Sequence, residues 1–408
     1  VKLDDVKRER SLLYMERYVD EGAKTYSVLA SRTEAAPCYR PESDQPSFDL
    51  IAVFVPPERV SVYEAGCPLG LSSRYLTEEG VLFPIHPEAW ASDEVPGLAD
   101  IRTLPRAPEI PVAPTASTRT VLVLESDGNV PAHFIKLHYP FYISRFKRKL
   151  RRKDIHNAVA ATRELAFINS PKFAYLPEVL GVIFGAGEEA WGYLLREATA
   201  YPPIIGGRFL IPCFALYAGD RRDPGRAPLL VQLIDHHQAD PASFVVHAII
   251  APIIECWSKV AHELGLLLQS HAQNLLLEVD EKLTPRRIVH RDFDVWVDLG
   301  AREKAGLPNP FLDIDRRPDK VHPVGQFYSL IYDRFMGRGF FDYLLRLLSL
   351  HYGANEEAIR QAVRDIFHRA FPDADRVFPA HTTYYFSDVP PPGRDFDLED
   401  TGQAPIWR

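Results

Sequence analysis

The sequence predicts an α+β fold, with a mixed first half and a largely helical second half. Three observations carry this. Short apolar runs of strand character recur up to residue 217, helical periodicity dominates from about Ala242 onward, and one strand pair interrupts that helical half. The strand runs are Phe48–Val55, residues 81–87, residues 121–124 and His133–Leu137, with further segments at 179–184, 190–196 and 209–217. Residues 1 to about 30 read as helical, with Leu12, Leu13, Met15 and Tyr18 as the apolar positions. Helices are also predicted over 156–167, 253–268, 327–350 and 356–371. A turn is expected at Ser126-Asp127-Gly128-Asn129, and the tail from Ser387 reads as extended.

The strand pair lies in residues 269–298. The polar tetrad His271-Ala272-Gln273-Asn274 precedes the apolar run Leu275-Leu276-Leu277, and a turn is expected at Asp280-Glu281-Lys282. The second strand, Arg287-Ile288-Val289, delivers His290-Arg291-Asp292. Antiparallel pairing would gather donors, acceptors and one carboxylate at a single sheet end, the expected place for a nucleotide and its metal.

Composition narrows the function classes. The chain has 408 residues, a net charge of −8 and 46% hydrophobic residues, which excludes a basic nucleic-acid binder and leads us to expect two or three packed subdomains. Cys38, Cys67, Cys213 and Cys256 are widely spaced, so reduced, mostly buried thiols are expected, not a disulfide framework or a zinc site. The first twenty residues carry charges and no apolar signal core, and no apolar run approaches the ~18 residues of a membrane span. A cytoplasmic protein is expected, with neither membrane nor nucleic acid as a partner.

Several residues carry candidate chemistry. Ser117, Arg119 and Thr120 offer hydroxyls and a guanidinium fork suited to phosphate oxygens, although a surface turn has the same composition. Lys136 sits in an apolar strand, so it reaches an edge or has an anionic partner. The basic run 145–153 is read as opening a helix near Ser144, with Arg145 and Arg148 one turn apart beside an anion site. His236 and His237, read as neighbours on a strand, would face opposite ways and share no metal. Residues 181–187 lack dinucleotide-binding glycine spacing and read as a turn. His290-Arg291-Asp292 matches part of a kinase catalytic loop, but Val297 stands where the asparagine belongs.

The order of these pieces is specific. Ser117-x-Arg119-Thr120, Lys136-Leu137, Ile143-Ser144, Arg148, His271-x-Gln273-Asn274 and Arg291-Asp292-Phe293-Asp294 together resemble the IucA/IucC-type siderophore synthetases, which work without a peptide-synthetase assembly line. Tyr39-Arg40-Pro41-Glu42 and Phe83-Pro84-Ile85-His86-Pro87 add to the resemblance. It implies a cupped-hand fold of β-rich fingers and a helical palm, with the N-terminal thumb reduced or absent. The implied division is a residual helix at 1–20, fingers with the ATP motifs at 21–235, and a palm at 236–408.

The implied activity is an ATP- and Mg2+-dependent ligase that adenylates a carboxylic acid and condenses it with an amine, hydroxylamine or alcohol. Ser117, Arg119 and Thr120 would hold the triphosphate. Lys136 and Arg148 would neutralise its charge, and Ser144 would stand in for a contacting threonine. Arg119, Lys136 and His271 would be catalytic. His271, Gln273 and Asn274 would line the nucleotide site, with Asp292 bearing on the metal. The family often dimerises, so a homodimer is among the expected states. Two departures are visible. Residues 22–32 keep only Gly22 and Arg32 of the Gly-His-Pro-x-His-Pro-x-x-Lys-x-Arg motif, and Gln269 replaces a glutamate. A nucleotide-binding homologue without catalysis is therefore the alternative, and a phosphotransferase is a weaker one.

Overall fold

The computed structural model describes the whole chain except residues 24–31, 125–128, 145, 315–322 and 386–397. Residues 126–128 of the expected turn and the first half of the expected extended tail, 387–397, therefore fall outside the described residues.

The first half builds β1 (Phe48–Val55), β2 (Val60–Glu64), β3 (Leu76–Thr77), β4 (Gly80–Ile85), β5 (Ile110–Pro114), β6 (Thr120–Val123) and β7 (His133–Leu137). A short hairpin, β8 (Tyr142–Ile143) and β9 (Phe146–Lys147), comes before β10 (Phe173–Tyr175), β11 (Glu178–Phe184), β12 (Trp191–Glu197) and β13 (Arg208–Pro212). Nine of these strands form one curled sheet in the order β2-β11-β12-β7-β6-β5-β1-β4-β3. Successive side chains on a strand alternate between faces, and both faces of this sheet are covered. Ile135, Leu137, Tyr193 and Leu195 enter one core, while Leu194 and Ile183 pack against the core that holds the helix Arg152–Leu165.

The predicted hairpin forms as β15 (Leu275–Asp280) and β16 (Pro285–His290), which follow the two-residue β14 (Leu266–Leu267). Leu275 pairs with His290 and Leu277 with Ile288, so the tetrad and the Arg291-Asp292 pair share the open end of the hairpin. The four-stranded sheet β10-β16-β15-β13 joins this hairpin to strands from the first half. β17 (Trp296–Val297) pairs with β14. Gly265 ends the preceding helix at φ +61, where a Cβ would lie 2.6 Å from Arg302 Cγ and 2.7 Å from the Asp298 carbonyl oxygen. Only glycine fits that turn.

Several expectations are corrected. The N-terminal stretch is a 3-10 turn, Leu3–Lys7, and a separate helix, Ser11–Tyr18, because Arg10 between them is left-handed at φ 62. No helix begins at Ser144: the segment turns back as β8–β9, and the helix starts at Arg152, where Asp154 accepts from the Arg151 N–H. The run 209–217 leaves its strand at Pro212 and becomes a 3-10 turn, Cys213–Leu216.

His236 and His237 end a helix, Leu229–His237, rather than a strand, and their Nε2 atoms meet the carbonyls of Lys282 and Leu283. Residues 181–184 are strand, and the chain turns from Gly185 onward, with Gly185 and Gly187 at positive φ; a Cβ on Gly181 would press to 2.4 Å from Ile155. The helix predicted over 327–350 is three joined segments, with a wider π winding at Leu330–Phe341 between Val324–Ser329 and Asp342–Tyr352. The helical stretch Pro241–Leu264 is long and apolar enough to cross a membrane, contrary to expectation, but 72% of its apolar window is buried inside the protein, as in a core helix. Cys213 and Cys256 are buried, while Cys38 and Cys67 are only partly so.

Candidate active site

Lys136 is the pivot. On β7 it faces away from Ile135 and Leu137 and pairs across the sheet with Thr120 on one side and Leu194 on the other. Its side chain is 3% exposed, and its Nζ bonds Asp292 Oδ1 from a segment 156 residues away. Glu178 Oε1 lies 3.9 Å from the same ammonium and accepts from Arg196 NH2 at 2.8 Å. Both Arg196 and Glu178 are fully enclosed. The nine-stranded sheet and the hairpin thus meet through four charges.

Asp292 is held left-handed at φ 67, which turns its carboxylate out of the strand line. Its side chain is 27% exposed, so the pair lies at a water-reachable cleft. Burial opposes its ionisation, but Lys136, Arg196 and Arg119 outweigh this and hold the carboxyl far below the usual carboxylate range. Asp294, two residues on, is exposed. Partial loss of hydration and the neighbouring Asp154 and Asp292 raise its pKa.

The loop before β6 supplies a second wall. Ser117 Oγ accepts the Thr120 N–H at 3.1 Å, Thr115 Oγ1 donates to the Thr120 carbonyl at 2.6 Å, and Thr118 turns at φ 64. Arg119 donates to the Arg148 carbonyl at 3.1 Å, and Arg148 Nε donates to the Ile143 carbonyl at 3.1 Å. These backbone contacts aim the two guanidinium groups.

The tetrad supplies the third wall. The Gln273 N–H donates to His271 Nδ1 at 3.2 Å, which leaves the proton of the neutral ring on Nε2. Burial first, then Arg291 and Arg148, against the opposing pull of Asp292, push the His271 pKa down to about 4. The ring is neutral at pH 7 and can donate a hydrogen bond from Nε2. Asn274 is fixed by its Nδ2 donating to the Gln269 carbonyl at 3.1 Å. Phe335 meets His271 edge-on at 5.7 Å.

Ser117, Thr120, Gln273, Asn274 and Asp292 line one enclosed cavity of about 20 Å³, room for a single water-sized group. Any larger ligand must lie over its mouth in the open cleft. Ser144 is not in this lining. It turns at φ 59 at the tip of β8–β9, and its N–H donates to the Arg32 carbonyl. His290, read with Asp292 as a kinase-like element, points inward against Phe173, with burial lowering its pKa to about 3. Glu16, Glu178 and Arg196 were missed in the sequence. The last two could have been found by the signal that marked Lys136, a charge inside an apolar strand. Among the described residues no group of three or more His, Cys, Asp or Glu side chains could hold a metal ion by itself.

Comparison with solved structures decides the fold. ATP-bound aerobactin synthetase IucA from a hypervirulent pathotype of Klebsiella pneumoniae superposes with a TM-score of 0.67 over 99% of this chain and 80% of its own, at 16% identity. This chain has the fold of the siderophore synthetases. The synthetase fold recurs in aerobactin synthetase IucC from the same pathotype (TM-score 0.64, 92% of this chain and 72% of that one). It recurs again in the petrobactin biosynthesis protein AsbB from Bacillus anthracis str. Sterne (0.63, 88% and 68%); both are 16% identical to this chain. No protein-family model and no curated protein sequence matches the chain.

Proposed function

We propose that the chain is an ATP-dependent ligase that adenylates a carboxylic acid and condenses it with an amine, hydroxylamine or alcohol, in siderophore or related natural-product biosynthesis. The observation that carries this reading is the Lys136–Asp292 pair, a buried lysine and a half-open carboxylate brought together at a cleft also edged by Ser117, Thr120 and Asn274. The synthetase fold supports it, as does an ATP-bound protein of that fold. In this reading the carboxylate attacks the α-phosphorus, pyrophosphate leaves, and the acceptor then displaces AMP from the acyl carbon.

Each step asks the protein for positioning and charge stabilisation, not for a nucleophile of its own. Arg119, Arg148 and Lys136 would meet phosphate charge, the Ser117 and Thr120 hydroxyls its oxygens, and the His271 Nε2–H would donate across the cleft. Mg2+ commonly takes one or two carboxylates together with substrate phosphates, so Asp292 fits it without a cage of protein ligands. When bound, the metal would supply charge neutralisation of the phosphates. A cytoplasmic location and a dimeric state belong to the same proposal.

Arg119→Ala and Lys136→Ala should each abolish acid-dependent AMP formation while the circular dichroism spectrum stays unchanged. Full turnover in both variants overturns the assignment. A second reading, a nucleotide-binding homologue without ligase activity, is favoured by Gln269, an amide where the resemblance implies a carboxylate. Calorimetric binding of MgATP without pyrophosphate release over a broad carboxylate panel selects it.

A further inference from the structure

Glu16 lies on the N-terminal helix Ser11–Tyr18 and is 1% exposed. A carboxylate that deep is costly unless its oxygens are matched. Oε2 accepts the Ala116 N–H at 3.2 Å, at the start of the Ser117-x-Arg119-Thr120 loop. Oε1 lies 2.6 Å from Arg291 NH2, and Arg291 in turn places Nε and NH2 on the Gln273 carbonyl at 2.9 and 2.7 Å. One unbroken line of contacts therefore runs from the loop before β6, through the helix, to both strands at the open end of the hairpin. Glu16 also lines the small cavity shared by Ser117, Thr120, Asn274 and Asp292.

The next residue anchors the helix from another side. Consecutive helical side chains leave about 100° apart, and Arg17 donates to the carbonyls of Pro41, Ser43, Gln45 and Pro46. The helix cannot slide without breaking one set or the other, so Glu16 stands at a fixed distance from the loop.

We propose that Glu16 is a positioning residue of this site: it ties the phosphate-facing loop to the hairpin end and sets the spacing between the two walls. Its consequence for ATP rests on the ligase reading, whereas the mechanical link does not. The test combines hydrogen exchange with MgATP calorimetry on the full chain. Glu16→Gln keeps the size but loses the charge; Glu16→Asp keeps the charge but loses reach. Glu16→Gln should speed exchange at residues 115–120 and 271–274 about tenfold or more, with other segments unchanged, and weaken MgATP binding by about tenfold. Glu16→Asp should recover part of both.

If Glu16→Gln alone fails to fold because the Arg291 charge loses its counter-charge, Glu16→Gln combined with Arg291→Met removes both charges; Arg291 itself holds the Gln273 carbonyl, so residues 115–120 then report on Glu16 and should still loosen. Parent-like exchange at residues 115–120 in whichever of these two variants folds overturns the proposal. Failure of the parent chain to bind MgATP overturns the nucleotide reading instead, and the exchange comparison still decides the role of Glu16.

Discussion

Two buried ion pairs sit at opposite ends of the β15–β16 hairpin, and they differ in one respect. Near the turn, Arg287 and Glu278 face each other across the strands with side chains 3% and 2% exposed, and Arg287 also donates to the Pro202 carbonyl at 2.7 Å. At the open end, Lys136 is as deeply buried, but its partner Asp292 reaches water. The first pair is itself shut off from water, with the Arg208 guanidinium 3.9 Å from Glu278 beside it, and it holds strands together. The second has a free side on which phosphate charge could compete for the lysine. Burial of a charged pair is therefore no sign of function by itself; the proposed function rests instead on a buried cation whose partner opens on a cleft.

This contrast can be broken by mutation. Lys136→Met should cut acid-dependent pyrophosphate release by about 10²- to 10³-fold with little change in the denaturation midpoint, because Asp292 keeps Arg196, Arg119 and solvent nearby. Arg287→Met should do the reverse. It leaves Glu278 in the interior with only the more distant Arg208, 3.9 Å away, and should cost about 3 kcal/mol of stability, read from urea denaturation, with turnover per folded molecule preserved. Parent-like stability in Arg287→Met, or a collapse in Lys136→Met, would remove the distinction.

Acidification should act on the scaffold before it acts on the cleft. Burial lowers the pKa values of His86, His138 and His290 to about 3 and that of His133 to about 4. Their unfolded values lie near 6.5, so the unfolded chain takes up protons first as pH falls. Stability should be full above about pH 6.5 and decline below it, by up to about 1.4 kcal/mol per pH unit for each histidine that stays neutral when folded. Asp292, depressed by its cations, should remain charged throughout that window. Denaturation midpoints from pH 7 to 4.5 check this, and a flat profile contradicts it. The smallest effect is expected at the surface pair Arg151–Glu189, both well exposed, where Glu189→Gln should shift stability by no more than about 0.5 kcal/mol.

What was legible in the sequence follows the same division. Strand alternation located β1, β4, β6, β7, β11 and β12 to within a few residues, and the hairpin register emerged from its apolar run and polar turn. Lys136 was visible because a charge in an apolar strand must have a partner, although only the fold identifies Asp292 and Glu178. The segment around Ser144 was misread because its basic run has helical composition, while the local geometry is set by Ser144 at φ 59 and by contacts to Arg32 and Arg119. Glu16 was not singled out in a stretch read only as helical. Its burial depends on Arg291 and Ala116, which no local pattern connects to it.

The central claim is that the Lys136–Asp292 cleft performs AMP-forming activation of a carboxylate. The most direct test is to incubate the chain with MgATP and a panel of carboxylic acids, then separate the spent nucleotides. The account predicts AMP and pyrophosphate in equal amounts, appearing only with an accepted acid and cut by about 10²- to 10³-fold in Lys136→Met. Turnover that yields ADP, or AMP formation at the parent rate in Lys136→Met, would contradict it.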